Sequence, residues 1–352
     1  MKAVVCTRYG PPSVLRIEEA EKPAPKDGEV LIKVRAASLN RVDWILMRGK
    51  PALIRLMGGG LLHPKHRIPG GDVAGVVEAV GPGVTRFNPG DEVFGNLKSS
   101  GRGAYAEFVC GREDALVLKP SNVTFEEAAS VPTAGLTALI GMREQGQIRA
   151  GQKVLVHGAS GGVGSFALQI AKALGANVTA VCSTKHVEAA RSMGADRVID
   201  YTKQDFAQSG ERYDLIIGAN GNRSIFEYRR CLKPNGTYVM LGGRRKQISQ
   251  AFLLGRMLSR KEGKKLTFLG SWDVRASDLE LLGEMLESRK IVPVIDHRYT
   301  LGHIRDAMRY LGEFHAGGKV VISVTEEGLD DPSGLSTMTT HETSDRGWTG
   351  CS

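Results

Sequence analysis

Residues 153–175 read KVLVHGASGGVGSFALQIAKALG, and the fold of the chain follows from them. Val154, Leu155 and Val156 form an apolar run without polar alternation, the pattern of a strand buried on both faces. It leads directly into the glycine-rich stretch from Gly158 to Gly164. Val163, Ala167, Ile170, Ala171 and Leu174 then recur at helical spacing, and Gly175 stands where a left-handed cap would end the helix. The unit is strand, glycine turn, helix. Glycines suit such a turn because a pyrophosphate approaches a helix N-terminus only where no Cβ shields the backbone N–H groups. Ser160, Gly161, Gly162 and Val163 are therefore the candidate phosphate-binding residues, with a turn that merely reverses the chain as the alternative.

Beyond Gly175 strands and helices alternate. Strands are expected over Val178–Cys182, Arg197–Ile199, Tyr213–Ile217, Thr237–Leu241 and Leu266–Leu269, with helices over 186–193 and 224–232. This is the pattern of βαβ units in a doubly wound parallel sheet. Ligands lie beyond the carboxyl ends of such strands. That singles out Ser183 to Lys185, Asp200 and Tyr201, Gly218 to Asn222, and Leu241, Gly242 and Gly243. An NAD site wants a carboxylate about 20 residues after the turn, for the ribose 2′-OH. Here the stretch is Cys182-Ser-Thr-Lys-His186, two hydroxyls and an ammonium that suit a 2′-phosphate, so NADP(H) is the expected cofactor. Lys185 as a plain exposed residue is the other reading.

The first 125 residues have a different character, with short β-rich runs at Val30–Val34, Val73–Val77, Tyr105–Val109 and Ala115–Leu118 separated by Gly and Pro. No long helix interrupts them, which points to a compact barrel or sandwich. Thr124 is a candidate N-cap for a helix from Phe125, and a second helix is expected over 136–142. Ile291–Ile295, a helix over 304–311 and Lys319–Val324 return to the style of the first part. The expected organisation is residues 1–124 with 291–325 as one domain, 125–290 as the nucleotide-binding domain, and 326–352 as a disordered polar tail.

Composition narrows the classes. A 352-residue chain with 41% hydrophobic residues can bury two cores. No apolar run reaches membrane-spanning length, and Met1–Val5 opens on a strand-like pattern, so the expected location is cytoplasmic. Cys6, Cys110, Cys182, Cys231 and Cys351 are scattered, which disfavours disulfides and structural zinc alike. Much of the net charge of +9 lies between Arg244 and Lys265, where eight basic residues face one acid, Glu262. A solvated surface is the plainer reading of that run, and a membrane or nucleic-acid patch the other.

Taken together, Ala37–Asp43 (ASLNRVD), Ile68–Val77 (IPGGDVAGVV), Pro89–Val93 (PGDEV), Pro132–Thr137 (PTAGLT), the glycine turn and Gly318–Val321 (GKVV) resemble the medium-chain dehydrogenase/reductase superfamily, and within it the zinc-independent quinone-oxidoreductase branch. The resemblance implies a Rossmann domain and a GroES-like β-barrel domain built from both ends of the chain. It implies Asn40, Asp43 and Thr137 near nicotinamide and substrate, and Ser183, Lys185 and Tyr201 around the 2′-phosphate. For Asn40 and Asp43 a turn bonded to its own backbone is the alternative. Zinc-dependent members carry a cysteine near the position of Asn40 and a Gly-His-Glu segment, where this chain has Gly70-Gly-Asp72. Related enoyl-thioester reductases carry a tyrosine where this chain has Pro51. The expected activity is NADPH-dependent, metal-free reduction of a quinone or α,β-unsaturated carbonyl by a homodimer that takes a small-molecule substrate and no nucleic acid. The alternatives are an alcohol or aldehyde dehydrogenase, or a cofactor-binding protein that contacts nucleic acid or an anionic membrane through its basic run.

Overall fold

The computed structural model describes residues 1–220, 223–243, 263–270, 272–313 and 316–324, the side chains of 57 and 58 excepted. Most of the basic run from Arg244 to Lys265, residues 221–222 of the fourth strand end, and the expected tail lie outside the described residues.

The first part is built from β1 (Lys2–Val5), β2 (Arg16–Glu19), β3 (Glu29–Leu39), α1 (Arg41–Arg48), β4 (Asp72–Val80), β5 (Glu92–Asn96), β6 (Phe108–Arg112) and β7 (Leu116–Leu118). Two helices follow, α2 (Phe125–Ser130) and α3 (Pro132–Ile140). The α/β part contains β8 (Lys153–His157), α4 (Gly162–Ala173), β9 (Asn177–Cys182), α5 (Val187–Ser192), β10 (Arg197–Asp200), β11 (Tyr213–Gly218), α6 (Ile225–Arg230), β12 (Leu232–Met240), β13 (Lys265–Phe268) and α7 (Ala276–Glu287). The chain closes with β14 (Ile295–Thr300), α8 (Ile304–Gly312) and β15 (Lys319–Ser323).

β8 to β13 form a parallel sheet in the order β10-β9-β8-β11-β12-β13. The order reverses between β8 and β11, and in such sheets the crevice for a ligand lies beyond the carboxyl ends at that switch point. β8 is buried on both faces, as its apolar run requires: Val154 and Val156 pack into one core and Leu155 into another. The second sheet runs β14-β15-β3-β4-β5-β7, with β6 on β3. β15 pairs antiparallel with β3, bringing the last described strand against the first 40 residues. Its alternation serves two cores, Val320 and Ile322 inside the sheet and Val321 toward α2 and α3.

Three departures from the sequence reading have local causes. The sequence reading assigns no helix within the first part, and α1 is a short one; its Met47 is buried in the core with Trp44 against it, and Gly49 ends it in the left-handed conformation (φ 57°). β6 starts at Phe108 rather than Tyr105, because Tyr105 turns its ring into the core. The strand expected at Ile291–Ile295 begins at Ile295 and runs through the polar residues Asp296, His297 and Arg298, which suit the sheet edge that β14 occupies.

Thr124 caps α2 as expected. Its Oγ1 accepts from the N–H of Glu127 (3.1 Å), and the Glu127 carboxylate accepts from the N–H of Thr124 (2.8 Å). Thr124→Ala is expected to lower stability by about 1 kcal/mol, read as a lower urea midpoint at unchanged slope.

Candidate active site

Strand register creates the centre of the site. Ser38 on β3, Asp72 on β4 and Asn96 on β5 are direct register partners, so three adjacent strands place three polar side chains in one row. All three are buried. Asp72 Oδ2 accepts from Ser38 Oγ (3.0 Å) and Asn40 Nδ2 (2.8 Å). Asp72 Oδ1 accepts from Asn96 Nδ2 (2.8 Å), Thr133 Oγ1 (2.6 Å) and the Thr133 N–H (3.0 Å). Thr133 opens α3, and one turn later Thr137 donates to its carbonyl (2.6 Å). The second sheet and α3 therefore meet at one carboxylate.

The cation in this network is Lys319, at the start of β15. Its Nζ donates to Asn40 Oδ1 (2.5 Å) and Leu39 O (3.0 Å) and lies 3.8 Å from Asp72 Oδ2. Burial pushes its pKa down, and Asp72 and Asp43 pull it back up. A second pair adjoins it, with Arg102 donating to Asp43 Oδ1 (3.0 Å). Burial raises the pKa of Asp43 and Arg102 opposes the rise. Asp43 Oδ2 also accepts from the N–H of Asn40 (2.9 Å), capping the start of α1, while the Asn40 side chain faces into the network. Tyr105 is fully buried and donates to Ser38 O (3.3 Å); burial first, then Asp43, hold its pKa well above the usual phenol value. That fits a barrel residue better than a proton donor.

Where zinc-dependent members of the resembled family have their histidine ligand, a Cβ on Gly71 would come 3.1 Å from the Arg102 guanidinium. Beside it Asn40 bonds an ammonium. This donor set does not suit a metal ion, and among the described residues no three His, Cys, Asp or Glu side chains gather as a metal would need.

Lys319 also joins this network to the glycine turn, its Cδ lying 3.0 Å from where a Cβ on Gly162 would sit. Gly158 has φ 85°, and a Cβ on Gly164 would lie 1.9 Å from Gly158 O, so both are required for the turn to close on α4. Gly161 differs. A Cβ there would meet only Gly158 O at 3.7 Å, so its surroundings are open. Ser160, Gly161, Gly162 and Val163 are half-buried at the N-terminus of α4, where a phosphate would be received. Leu241 and Gly242 are held beside the crevice by hydrogen bonds to Gly218 O (2.9 and 3.1 Å).

Ser183 and Lys185 follow β9 and Tyr201 follows β10. The strand ends are adjacent, with Cys182 opposite Asp200 and the N–H of Tyr201 bonded to Cys182 O (3.0 Å). Lys185 and Tyr201 are exposed. The nearby Asp200 would favour a ribose hydroxyl over a phosphate, but its oxygens are taken by Thr184 Oγ1 (2.6 Å), Thr202 Oγ1 (2.7 Å) and the Thr202 N–H (2.9 Å). A cavity of about 290 Å³ lies alongside, lined by His157, Tyr201, Phe206 and Arg223. Arg223 is steadied by Asp205 and Glu227, both at 3.2 Å. Sequence reasoning missed Arg223, and its signal was a cation just before the Ser224 cap beyond a strand end.

His157, buried and bonded through Nδ1 to Tyr228 OH (2.7 Å), has its pKa lowered to about 4, mainly by burial and then by Arg223. The folded protein holds it neutral, so this contribution is whole above the unfolded value near 6.5 and is lost as pH falls toward 4. By pH 5 the loss reaches about 2 kcal/mol. Urea midpoints at pH 7.5 and 5 should differ more in the wild type than in His157→Gln.

Residues 26–121 match the family model for the alcohol dehydrogenase GroES-like domain, and 193–322 match the model for zinc-binding dehydrogenase. The chain is 35% identical over 313 residues to the chloroplast envelope quinone oxidoreductase homolog of Arabidopsis thaliana, covering 85% of this chain and 91% of the relative. The chain belongs to the medium-chain dehydrogenase/reductase superfamily, in its quinone-oxidoreductase-like branch. It is also 34% identical over 335 residues to an NADPH-dependent alkenal/one oxidoreductase of A. thaliana, covering 92% of this chain and 79% of that one. Among solved structures, the quinone oxidoreductase of Coxiella burnetii superposes with a TM-score of 0.80 at 29% identity, covering 92% of this chain and 99% of that one. The parallel six-stranded sheet is thus Rossmann-like and the other sheet GroES-like, and the chain is an NAD(P)H oxidoreductase of the quinone oxidoreductase and alkenal/one reductase type. No helix among the described residues is long and apolar enough to cross a membrane.

Proposed function

We propose that the protein is an NADPH-dependent, metal-independent reductase of small α,β-unsaturated carbonyls or quinones. The observation that supports this is the bonded Asp72–Asn40–Lys319 network, which occupies with an ammonium and an amide the segments that, by the resemblance, carry the zinc ligands of metal-dependent members. When bound, the reduced nicotinamide supplies a hydride, and a conjugated acceptor takes it without a Lewis acid because its own π-system spreads the charge. Gly161 and Gly162, with the N–H groups at the start of α4, receive the pyrophosphate. Ser183, Lys185 and Tyr201 hold the 2′-phosphate, with Arg223 beside them. Leu241 and Gly242 border the crevice, and Asn40, Asp43 and Thr137 line its nicotinamide end. Lys319 and Asp72 fix Asn40, so the reacting faces are oriented by a rigid, dry wall. Water protonates the product in this reading, since the Tyr105 hydroxyl is buried against Ser38 O and the Asp43 carboxylate.

In this reading residues 1–124 and 291–325 form the substrate domain and 125–290 the cofactor domain. The work is done by a homodimer. The test is loss of NADPH absorbance with quinones, enones and simple aldehydes, with and without a chelator. Chelator-resistant turnover of enone or quinone is expected. Turnover confined to the simple aldehydes, or abolished by chelator, would sink the proposal.

A further inference from the structure

From Trp44 to Gly71 the chain carries no carboxylate, yet it carries Arg48, Lys50, Arg55, Lys65 and Arg67 with His63 and His66. The whole chain has 38 acids to 47 bases, so this stretch stands apart. Its middle also stands out of the body. Leu53 is 59% exposed, Leu56 70%, Leu61 64% and Leu62 83%, the four highest values for large hydrophobic residues among those described. Scattered exposed leucines need no explanation, but four within ten residues do.

These leucines rise from an anchored base. The Tyr9 hydroxyl lies 2.7 Å from Gly59 O and 2.5 Å from Gly60 O. Arg55 lies over the Tyr9 ring (4.4 Å) and donates to Gly49 O (3.0 Å). The N–H of Lys65 bonds Gly59 O and that of Cys6 bonds Arg67 O, both at 2.8 Å. A Cβ on Gly60 would lie 2.1 Å from His63 O, so the turn bearing Leu61 and Leu62 is drawn tight. Leu53 and Leu56, three apart in helical backbone, share a face. Glu18 pairs with Arg67 (2.9 Å), Arg48 lies over the Trp44 ring (5.3 Å) and Arg55 is held at the base, which leaves the exposed Lys50 and Lys65 near the leucines in the chain.

We propose that residues 48–67 are a docking surface for an anionic phospholipid bilayer. An acidic protein face would satisfy the cations and leave the leucines in water. An apolar protein face would cover the leucines and strand the cations. A bilayer offers both within a few ångströms of depth, acyl chains for the leucines and anionic headgroups for Lys50 and Lys65. This holds for either acceptor chemistry and does not rest on the reading above.

Flotation of the full-length protein with phosphatidylcholine vesicles, with and without phosphatidylglycerol, tests it. Binding is expected only with phosphatidylglycerol and should weaken with salt, since each cation near the surface contributes about fivefold. The variant Leu53→Ser/Leu56→Ser/Leu61→Ser/Leu62→Ser should bind at least tenfold more weakly at an unchanged melting midpoint. The exposed pair Lys50→Glu/Lys65→Glu gives an independent reading of the same point, with the same loss expected. Absence of binding by the wild type would overturn the proposal. So would binding that survives both variants and disappears in Arg256→Glu/Arg260→Glu/Lys261→Glu, which would place the lipid contact on the other basic run. A wild-type dimer that the serine variant splits into monomers, with no vesicle binding by either, would assign the leucines to a second copy of the chain.

Discussion

Asp72→Ala should lower the stability of this protein by about 3–5 kcal/mol, the largest effect expected of any single substitution here. The carboxylate is fully buried and accepts from Ser38, Asn40, Asn96 and, twice, Thr133, with the Lys319 ammonium 3.8 Å away as its ion-pair partner. Removing it leaves the Lys319 ammonium without its nearest buried anion and several donors without an acceptor. Asp72→Asn keeps one acceptor oxygen and should fall between the two. Lys319→Met should cost less than Asp72→Ala, because Asp72 retains its neutral donors. In Asp72→Asn/Lys319→Met the losses should not add, since the second change removes the charge that the first strands. Urea denaturation of the four variants decides this. Wild-type midpoints for both Asp72 variants would mean that water replaces the carboxylate and the network is not structural.

That same carboxylate shows where reading the sequence runs out. The glycine turn, the flanking strand and helix, the alternation after Gly175 and the Thr124 cap are local features. Each is encoded within a few neighbouring residues, as an apolar run, a glycine at φ 85° or a hydroxyl three residues before a glutamate. The network is different. Ser38, Asp72, Asn96, Thr133 and Lys319 come from five elements and meet only through the register of four strands. Asp72 was noticed for the histidine missing beside it, and Lys319 only as part of a family segment. Nothing within ten residues of either says that the two face each other, because a one-residue slip in β4 would turn Asp72 to the other face. α1 was missed for a related reason. Its place depends on a distant element, since α8 packs on Trp44 through Gly312. Arg223 belongs to the same class, a cation whose meaning depends on the cavity it lines.

The second large effect expected is on the choice of cofactor. Lys185→Ala should lower kcat/KM for NADPH about tenfold, a modest figure for a charge-assisted contact because Lys185 is exposed and screened. Ser183→Ala/Lys185→Ala/Tyr201→Phe should lower it about a hundredfold, while NADH changes by no more than about twofold. The asymmetry is the point. All three residues follow β9 and β10, beyond the adjacent strand ends that the Tyr201 to Cys182 hydrogen bond ties together, and only the 2′-phosphate distinguishes the two cofactors there. Lys185→Asp sharpens the comparison: a carboxylate repels the phosphate and accepts from a ribose 2′-OH, so NADH should gain as NADPH loses. Asp200 does not already play that part, since Thr184 and Thr202 hold its oxygens. Raised salt should narrow the wild-type preference and leave the triple variant unmoved. Equal losses with both cofactors would show instead that the loop after β9 shapes the whole crevice, and the phosphate would then have to be sought at Arg223.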